Sequence, residues 1–574
     1  MYLASLTVEG FRRLETIELR FRKGLNVLVG PNNAGKTAVV DALRVLLSTG
    51  DEGALRVTDY DQHVSSGGEK SAQVVFKYVF RGLDETDEAD FLTALKQVTN
   101  VDGSLEYEAH ISVRYSNPDT GGRLRIKRWC GEHEENAVTA EMLEDIRAVY
   151  LPPLRDPAQG LKPGRSSQLS RLVQRLSDET SRKEVVDTLA KLDEELKTKK
   201  PIADTQAAIT KRHTEMLGDV LSQKIAVALS PSDFQRVAAR LALAVANFEI
   251  EQNGLGFNNL IYMAVALSEL SLSTEAAYRA LIVEEPEAHL HPQLQAILLQ
   301  YLRAVETPAA GENAVQIFVT SHSPNFAALA DIDSIGCVYQ SPTGVDAFFP
   351  RELKFQERKK EKLQRYLNVT RAEIFFARRI IFVEGAAELF IIEALAAKLN
   401  IDLRKHSVSV ISADGLNFDA FLPLFGEKAL KIPVAVITDS DPPGIYPKVG
   451  EHHEVSATAK KIAACADAYV KPFFASKTLE YDLALTARNR GTMLEALKEL
   501  HPAIAKDLVA EVDAAAEDEK AQILFKGMFE RGHGKANVQK GAFGQALAQA
   551  IIDDGLDVDV PDYIKNALAF ITTL

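Results

Sequence analysis

Cysteine is scarce in this chain. The 574 residues hold 3 of them, Cys130, Cys337 and Cys465, which lie far apart and form no metal spacing, and such sparse use suits a reducing compartment. Long hydrophobic runs are missing too. No stretch approaches the roughly 20 apolar residues that a membrane span needs. The opening Met1-Tyr2-Leu3-Ala4-Ser5-Leu6-Thr7-Val8-Glu9 has no basic start and meets an acid early, unlike a secretory leader. These absences predict a cytoplasmic protein with no membrane contact. Net positive charge is also lacking: the formal charge is -14, which argues against a surface that binds phosphate everywhere. The local exception is Arg351 to Arg379, with ten Lys or Arg against four Glu, read either as a basic surface or as a solvated helix face. There is no internal repeat. What remains is ordinary for a globular chain, 46% apolar and 25% charged, and long enough for three to five domains at about 150 residues each.

Two separate sets of residues stand out as phosphate and metal chemistry. The first is Gly30-Pro31-Asn32-Asn33-Ala34-Gly35-Lys36-Thr37, which fits G-x-x-x-x-G-K-[ST] in full. It follows the apolar run Leu25 to Val29 and precedes a helical pattern from Ala38 to Leu47. Glycines at those places let amide groups curl around phosphate oxygens at a helix N-terminus, with Lys36 reaching the β- and γ-phosphates and Thr37 a magnesium ion. Ala280-Leu281-Ile282-Val283 then ends in Glu284 and Glu285, placing Glu284 for a magnesium-water shell and Glu285 for polarising the attacking water. Ile317-Phe318-Val319-Thr320-Ser321 delivers His322 toward a γ-phosphate. ATP is the expected nucleotide.

These residues, with the opening strand Leu6-Thr7-Val8-Glu9-Gly10-Phe11-Arg12, resemble the ABC-type ATPase heads of the RecF, SMC and Rad50 group. The resemblance implies a signature segment that acts on a partner's ATP. Gln252 to Asn259 matches it best, though without the usual Ser-Gly-Gly form. Glu284 stands where the group has Asp, and Gln62 is read either as a Q-loop candidate or, in preference, as part of a surface loop. Between Arg165 and Leu229, Leu169, Leu172, Val173 and Leu176 recur at helical spacing and Pro201 breaks the run. That is a helical hairpin, either a layer of the head or a dimerisation arm.

The second set lies in an alternation of strands and helices that predicts a parallel sheet. Ile380 to Val383 ends in Glu384-Gly385, with Glu388 in the first turn of a helix; Val434 to Thr438 ends in Asp439-Ser440-Asp441. Acids at the carboxyl ends of parallel strands share one rim, and this many hard oxygen ligands suit Mg2+ or Mn2+. The pattern resembles the Toprim fold. Behind an ABC-type head it is similar to the OLD (overcoming lysogenization defect) family of ATP-dependent nucleases, to which Tyr150-Leu151-Pro152-Pro153-Leu154-Arg155-Asp156 and Phe375-Phe376-Ala377-Arg378 also correspond. The resemblance implies Glu480 as a further metal ligand and Lys540 as a cation beside the scissile phosphate. One ion would sit among Glu384, Asp439 and Asp441 and another between Glu388 and Glu480, for a two-metal cut of DNA.

The expected architecture is therefore α/β. An ABC-type head spans 1–164 and 231–350, with a helical, dimerising insert at 165–230. A basic linker covers 351–371 and a doubly wound parallel Toprim domain 372–574. The expected activity is an ATP-regulated, magnesium-dependent DNA endonuclease, acting as a homodimer or larger homo-oligomer. The resemblance adds bacterial defence against phage as the setting and a helicase-like protein as a partner. The alternatives are a non-cutting, SMC-like DNA clamp and, further off, a topoisomerase.

Overall fold

The computed structural model describes residues 1–48, 55–100, 103–116, 123–153, 160–165, 167–228, 233–245, 248–272, 276–355, 358–442, 444–448, 451, 453–533 and 536–573. Leu154, Arg155 and Asp156 of the sequence motif lie outside these residues. Among them, no helix is long and apolar enough to cross a membrane.

The head is built from two sheets. In one, the strands Tyr2–Phe11, Leu14–Arg20, Gln73–Arg81, Leu95–Thr99, Leu105–Ser116 and Arg125–Cys130 pair antiparallel. In the other, Leu25–Val29 lies at the centre beside Gln316–Ser321, which is followed by Tyr278–Glu284 and Ile146–Leu151, all parallel. Strand alternation decides the faces of this second sheet. Val27, Val29, Leu281, Val283, Ile317 and Val319 turn into one core, while Leu28, Ile282 and Phe318 turn into the core shared with the antiparallel sheet. Buried on both sides, these strands read as unbroken apolar runs.

The helical insert has three helices, Gln168–Leu176, Glu179–Thr198 and Lys200–Leu221. Gln168–Leu176 belongs to the head: Leu172 packs beside Leu161 and Val265, and Arg175 pairs with Glu269 at 2.8 Å. The other two form the hairpin, and Pro201 sits in the first turn of its second helix, where a missing N–H costs nothing.

Four parallel strands make the C-terminal sheet, in the order Val408–Ser412, Arg379–Val383, Val434–Thr438, Val470–Phe474. The first strand in sequence is thus flanked by the second and third, so the order reverses between Arg379–Val383 and Val434–Thr438. Alternation again splits the faces. Ile380, Phe382, Val434 and Val436 join the core that contains Leu25 and Leu281 of the head. Ile381, Val383, Ala435 and Ile437 join a helical layer built on Ile391, Met493, Phe525 and Phe543. Head and C-terminal domain therefore share one continuous apolar core.

Part of the basic stretch is taken up in this junction. Lys360 pairs with Asp333, Lys362 with Asp419 at 2.8 Å, and Arg371 with Asp414 at 3.2 Å. It clasps the two halves rather than presenting a broad cationic surface.

Helix Ala386–Lys398 packs on helix Lys540–Ile552, and that contact brings Lys540 to the rim that carries Glu384. The helices approach so closely at Gly544 that an added Cβ would lie 2.7 Å from Ala387 Cα. Gly491, inside the exposed face of helix Ala487–Leu500, has nothing within 4 Å. The same change should therefore act with opposite sign. Gly544→Ala is expected to cost about 1–3 kcal/mol, and Gly491→Ala to add about 0.5–1 kcal/mol, in urea unfolding of the whole chain. Equal effects at the two positions would refute the close packing.

Candidate functional site

The nucleotide cradle is made by backbone that only glycine permits. Gly30 has φ 151 and a Cβ there would stand 2.0 Å from the Val338 carbonyl oxygen; Gly35 has φ 105. Asn33 joins them with φ 64. Gly35 caps helix Lys36–Leu47 without a side-chain bond, so the first amides of the helix are left for a ligand. Lys36 is buried and folds back on the loop. Its ammonium donates to the carbonyls of Gly30 at 2.6 Å and Pro31 at 2.9 Å, and to His322 Nδ1 at 3.0 Å. Burial pulls its pKa down to about 8, against the pull of Glu285 and Glu287.

Strand register brings the rest level. Glu284 pairs with Thr320 and Ser321 with Val29, so three adjacent strands end together. Glu284 accepts from Thr37 Oγ1 at 3.2 Å and from the Tyr150 hydroxyl at 2.6 Å, and burial raises its pKa. Glu285 follows with φ 47, a left-handed conformation that is sustained where a site requires it. Its carboxylate lies 3.3 Å from His322 Nε2. Burial first, and Lys36 second, lower the His322 pKa, which favours the uncharged ring. Glu287 accepts from Ser321 Oγ and the His322 amide, steadying that turn. Gln62 donates to the Ser71 carbonyl instead of facing the cradle.

The second site forms at the reversal of the C-terminal sheet, the place where parallel α/β folds open a crevice. Glu384 Oε1 accepts from the Thr438 hydroxyl and from the Asp439 amide at 2.8 Å, bridging the two strand ends. Glu388 reaches back to the Gly385 amide at 3.0 Å, a helix-capping bond. Asp439 Oδ1 accepts from the Leu479 amide at 3.1 Å. Glu480, fully buried, accepts from Thr478 Oγ1 at 2.9 Å and from the Lys540 ammonium at 2.8 Å, while its Oε1 has no hydrogen-bond partner among the described residues.

These groups act on one another. Burial first, then Glu384 and Glu480, push the Asp439 pKa far above the ordinary carboxylate value. Burial, then Glu480, raises Glu388. Burial works against the Lys540 ammonium, yet Glu480 and Asp439 outweigh it and its pKa stands above that of an ordinary lysine. Glu384, Glu388, Asp439, Glu480 and Lys540 are thus brought together. Asp441 is set apart: with φ 38 it turns outward, 69% exposed, 3.8 Å from Lys477 Nζ. Among the described residues, no group of three or more His, Cys, Asp or Glu is drawn tight enough to enclose a metal ion. The chemistry nonetheless fits a hard divalent cation: buried carboxylates in mutual repulsion, one oxygen of which is orphaned.

Sequence reading missed four neighbours of these sites: Tyr150, Thr438, Thr478 and Tyr563. Thr478 carried a signal, since a Thr before Leu479–Ala484 is a helix cap. Tyr563 carried none; its buried hydroxyl lacks a partner and its pKa is raised by burial and then by Asp482, Asp439 and Glu480.

The two folds and their rims define an ATPase head joined to a Toprim domain. Residues 25–328 match the family model described as AAA domain, putative AbiEii toxin, Type IV TA system, and because this covers more than half of the chain, the protein belongs to that family. Residues 375–441 match the model for the overcoming lysogenization defect protein-like Toprim domain. The chain is 24% identical over 467 residues to the OLD nuclease of Thermus scotoductus, spanning 76% of this chain and 82% of that protein. It is 25% identical over 223 residues to endonuclease GajA of Bacillus cereus, 34% of this chain and 32% of that one. The solved C-terminal region of the Burkholderia pseudomallei OLD protein is 29% identical, with a TM-score of 0.25, over 34% of this chain and 97% of that chain.

The raised carboxyls make a stability prediction. A carboxyl that holds its proton more tightly folded than unfolded favours the fold while protonated. That contribution is lost as pH rises from the ordinary carboxylate range through the raised pKa. At neutral pH in chelator, Asp439→Asn keeps an oxygen for the Leu479 amide but removes a repelled charge. Calorimetry should show it more stable than the parent by roughly 1 kcal/mol. A lower melting temperature would contradict the repulsion.

Proposed function

We propose that this protein is an ATP-regulated, divalent-metal-dependent DNA endonuclease. The observation that carries the reading is the gathering of Glu384, Glu388, Asp439 and Glu480 with Lys540 at the switch point of a parallel sheet that shares its core with a nucleotide cradle. A desolvated cluster of like charges is costly to maintain unless a cation is its business. A clamp that never cuts leaves these acids without a task.

In the head, Gly30 to Gly35 would cradle phosphates with Lys36 beside them, and Thr37 and Glu284 would hold a magnesium ion. Glu285 would accept the proton of the attacking water, and His322 would donate toward the γ-phosphate. In the Toprim domain, Glu384 and Asp439, with Asp441 on the open side, would hold one Mg2+ or Mn2+, and Glu388 and Glu480 a second. Cations bound there activate water and steady the leaving oxygen. Lys540 keeps its proton and presents positive charge on the same rim, where the phosphate gains negative charge. The domain boundaries follow the sequence reading, with the hairpin narrowed to Glu179–Leu221. Val185, Leu192, Ile209, Met216 and Leu217 are exposed along it, and we assign this apolar surface to self-association. Defence against phage, beside a helicase-like partner, is the setting that this reading carries over from the family resemblance.

The test uses supercoiled and linear DNA with Mg2+ or Mn2+, with and without ATP. Free new ends are expected from the parent protein. Asp439→Ala should reduce cutting by a factor of 100 or more, on the order expected for a lost metal ligand, while ATP turnover survives. Protein-linked ends would indicate a topoisomerase. ATP turnover over intact DNA would leave only a clamp.

A further inference from the structure

The nucleotide cradle faces a second wall, and part of it comes from the Toprim domain. A cavity of about 730 Å³ lies between Pro31–Ala34 and the residues that lead into the Toprim strands, among them Arg378, Lys405 and Lys431. An adjoining cavity of about 630 Å³ sets Pro31, Asn32 and His322 against Arg378, Arg404 and Ser407. The head's nucleotide site therefore faces the amino-terminal rim of the Toprim sheet. The acids occupy the carboxyl-terminal rim of the same strands.

The cations on this wall differ in how they are committed. Arg379 donates to the His406 carbonyl at 3.0 Å, Lys431 pairs with Asp346 at 3.1 Å, and Lys405 lies 3.7 Å from Asp402. Among the described residues, the Arg378 and Arg404 guanidinium groups have no acidic partner and no hydrogen bond, and both line the cavity beside Pro31 and Asn32. Lys36 already holds positive charge in the same cradle. An anion that enters this cavity meets two guanidinium groups at its edge. A guanidinium offers a planar fork that matches two phosphate oxygens at once.

We propose that Arg378 and Arg404 bind the polyphosphate of the nucleotide held by the cradle, so that ATP is gripped between the head and the Toprim domain of one chain. The proposal rests on the nucleotide reading of Gly30 to Thr37. Arg378 immediately precedes strand Arg379–Val383, and Glu384 follows it. The grip is thus one strand, about 20 Å at roughly 3.3 Å per residue, from an acid of the second site.

Full-length protein is titrated with ATPγS and with AMP by calorimetry. The double variant Arg378→Ala/Arg404→Ala should bind ATPγS at least about tenfold more weakly, with little change for AMP, and each arginine alone should account for part of the loss. Affinity for ATPγS should also fall less steeply with added salt in the double variant than in the parent. Both side chains are exposed, so an unchanged melting curve is expected. Parent-like ATPγS affinity in the double variant, alongside lost binding in Lys36→Ala, would overturn the proposal and leave the cradle standing. Binding that survives both sets of changes would overturn the cradle reading and the proposal together.

Discussion

Carboxylates at the ends of neighbouring strands repel one another across a rim that water has largely left. Among the described residues, Lys540 is the one ammonium that holds Glu480 directly, and it keeps its charge because the acids outweigh its burial. The head contains the inverse arrangement. There a buried ammonium, Lys36, rests on carbonyls and on His322, its proton loosened by burial. One site gathers a buried ammonium and the other gathers buried carboxyl groups, and in both burial works against the charged form.

What couples these two sites is apolar. The ion pairs of the connector, such as Lys362 with Asp419 and Arg371 with Asp414, are partly exposed, and such pairs contribute only about 0–1 kcal/mol each. The continuous core from Leu25 and Leu281 to Phe382 and Val436 removes far more apolar surface from water. The Toprim sheet thereby becomes a wall of the head. Its strands begin at the nucleotide cavity and end at the acids, so a rigid element only a few residues long spans the distance between two chemistries.

Much of this was legible in the chain. The cradle could be read residue by residue because its backbone demands glycine at Gly30 and Gly35 wherever it occurs. Leu25–Val29 and Val434–Thr438 announced themselves as apolar runs closed by a turn or by acids. Val470–Phe474 did not. It contains Lys471 and Pro472, which speak against a strand, and it is tolerated because it lies at the sheet edge, where a missing N–H need not pair. The basic stretch was ambiguous because a charge run does not say whether solvent, nucleic acid or Asp333 and Asp419 will face it.

The sequence by itself determined the local chemistry: which turns can curl around phosphate, which strands end in acids, and which helices begin with a capping residue. These follow from backbone sterics and short-range periodicity, and need no neighbours. Only the tertiary structure decided company. It placed Glu480 and Lys540 against Asp439, turned Asp441 outward beside Lys477, and set Arg378 and Arg404 over the cradle. Those meetings depend on strand order and on which surfaces are buried together, and the physical reason they escape the sequence is that desolvation and charge repulsion are properties of the assembled core.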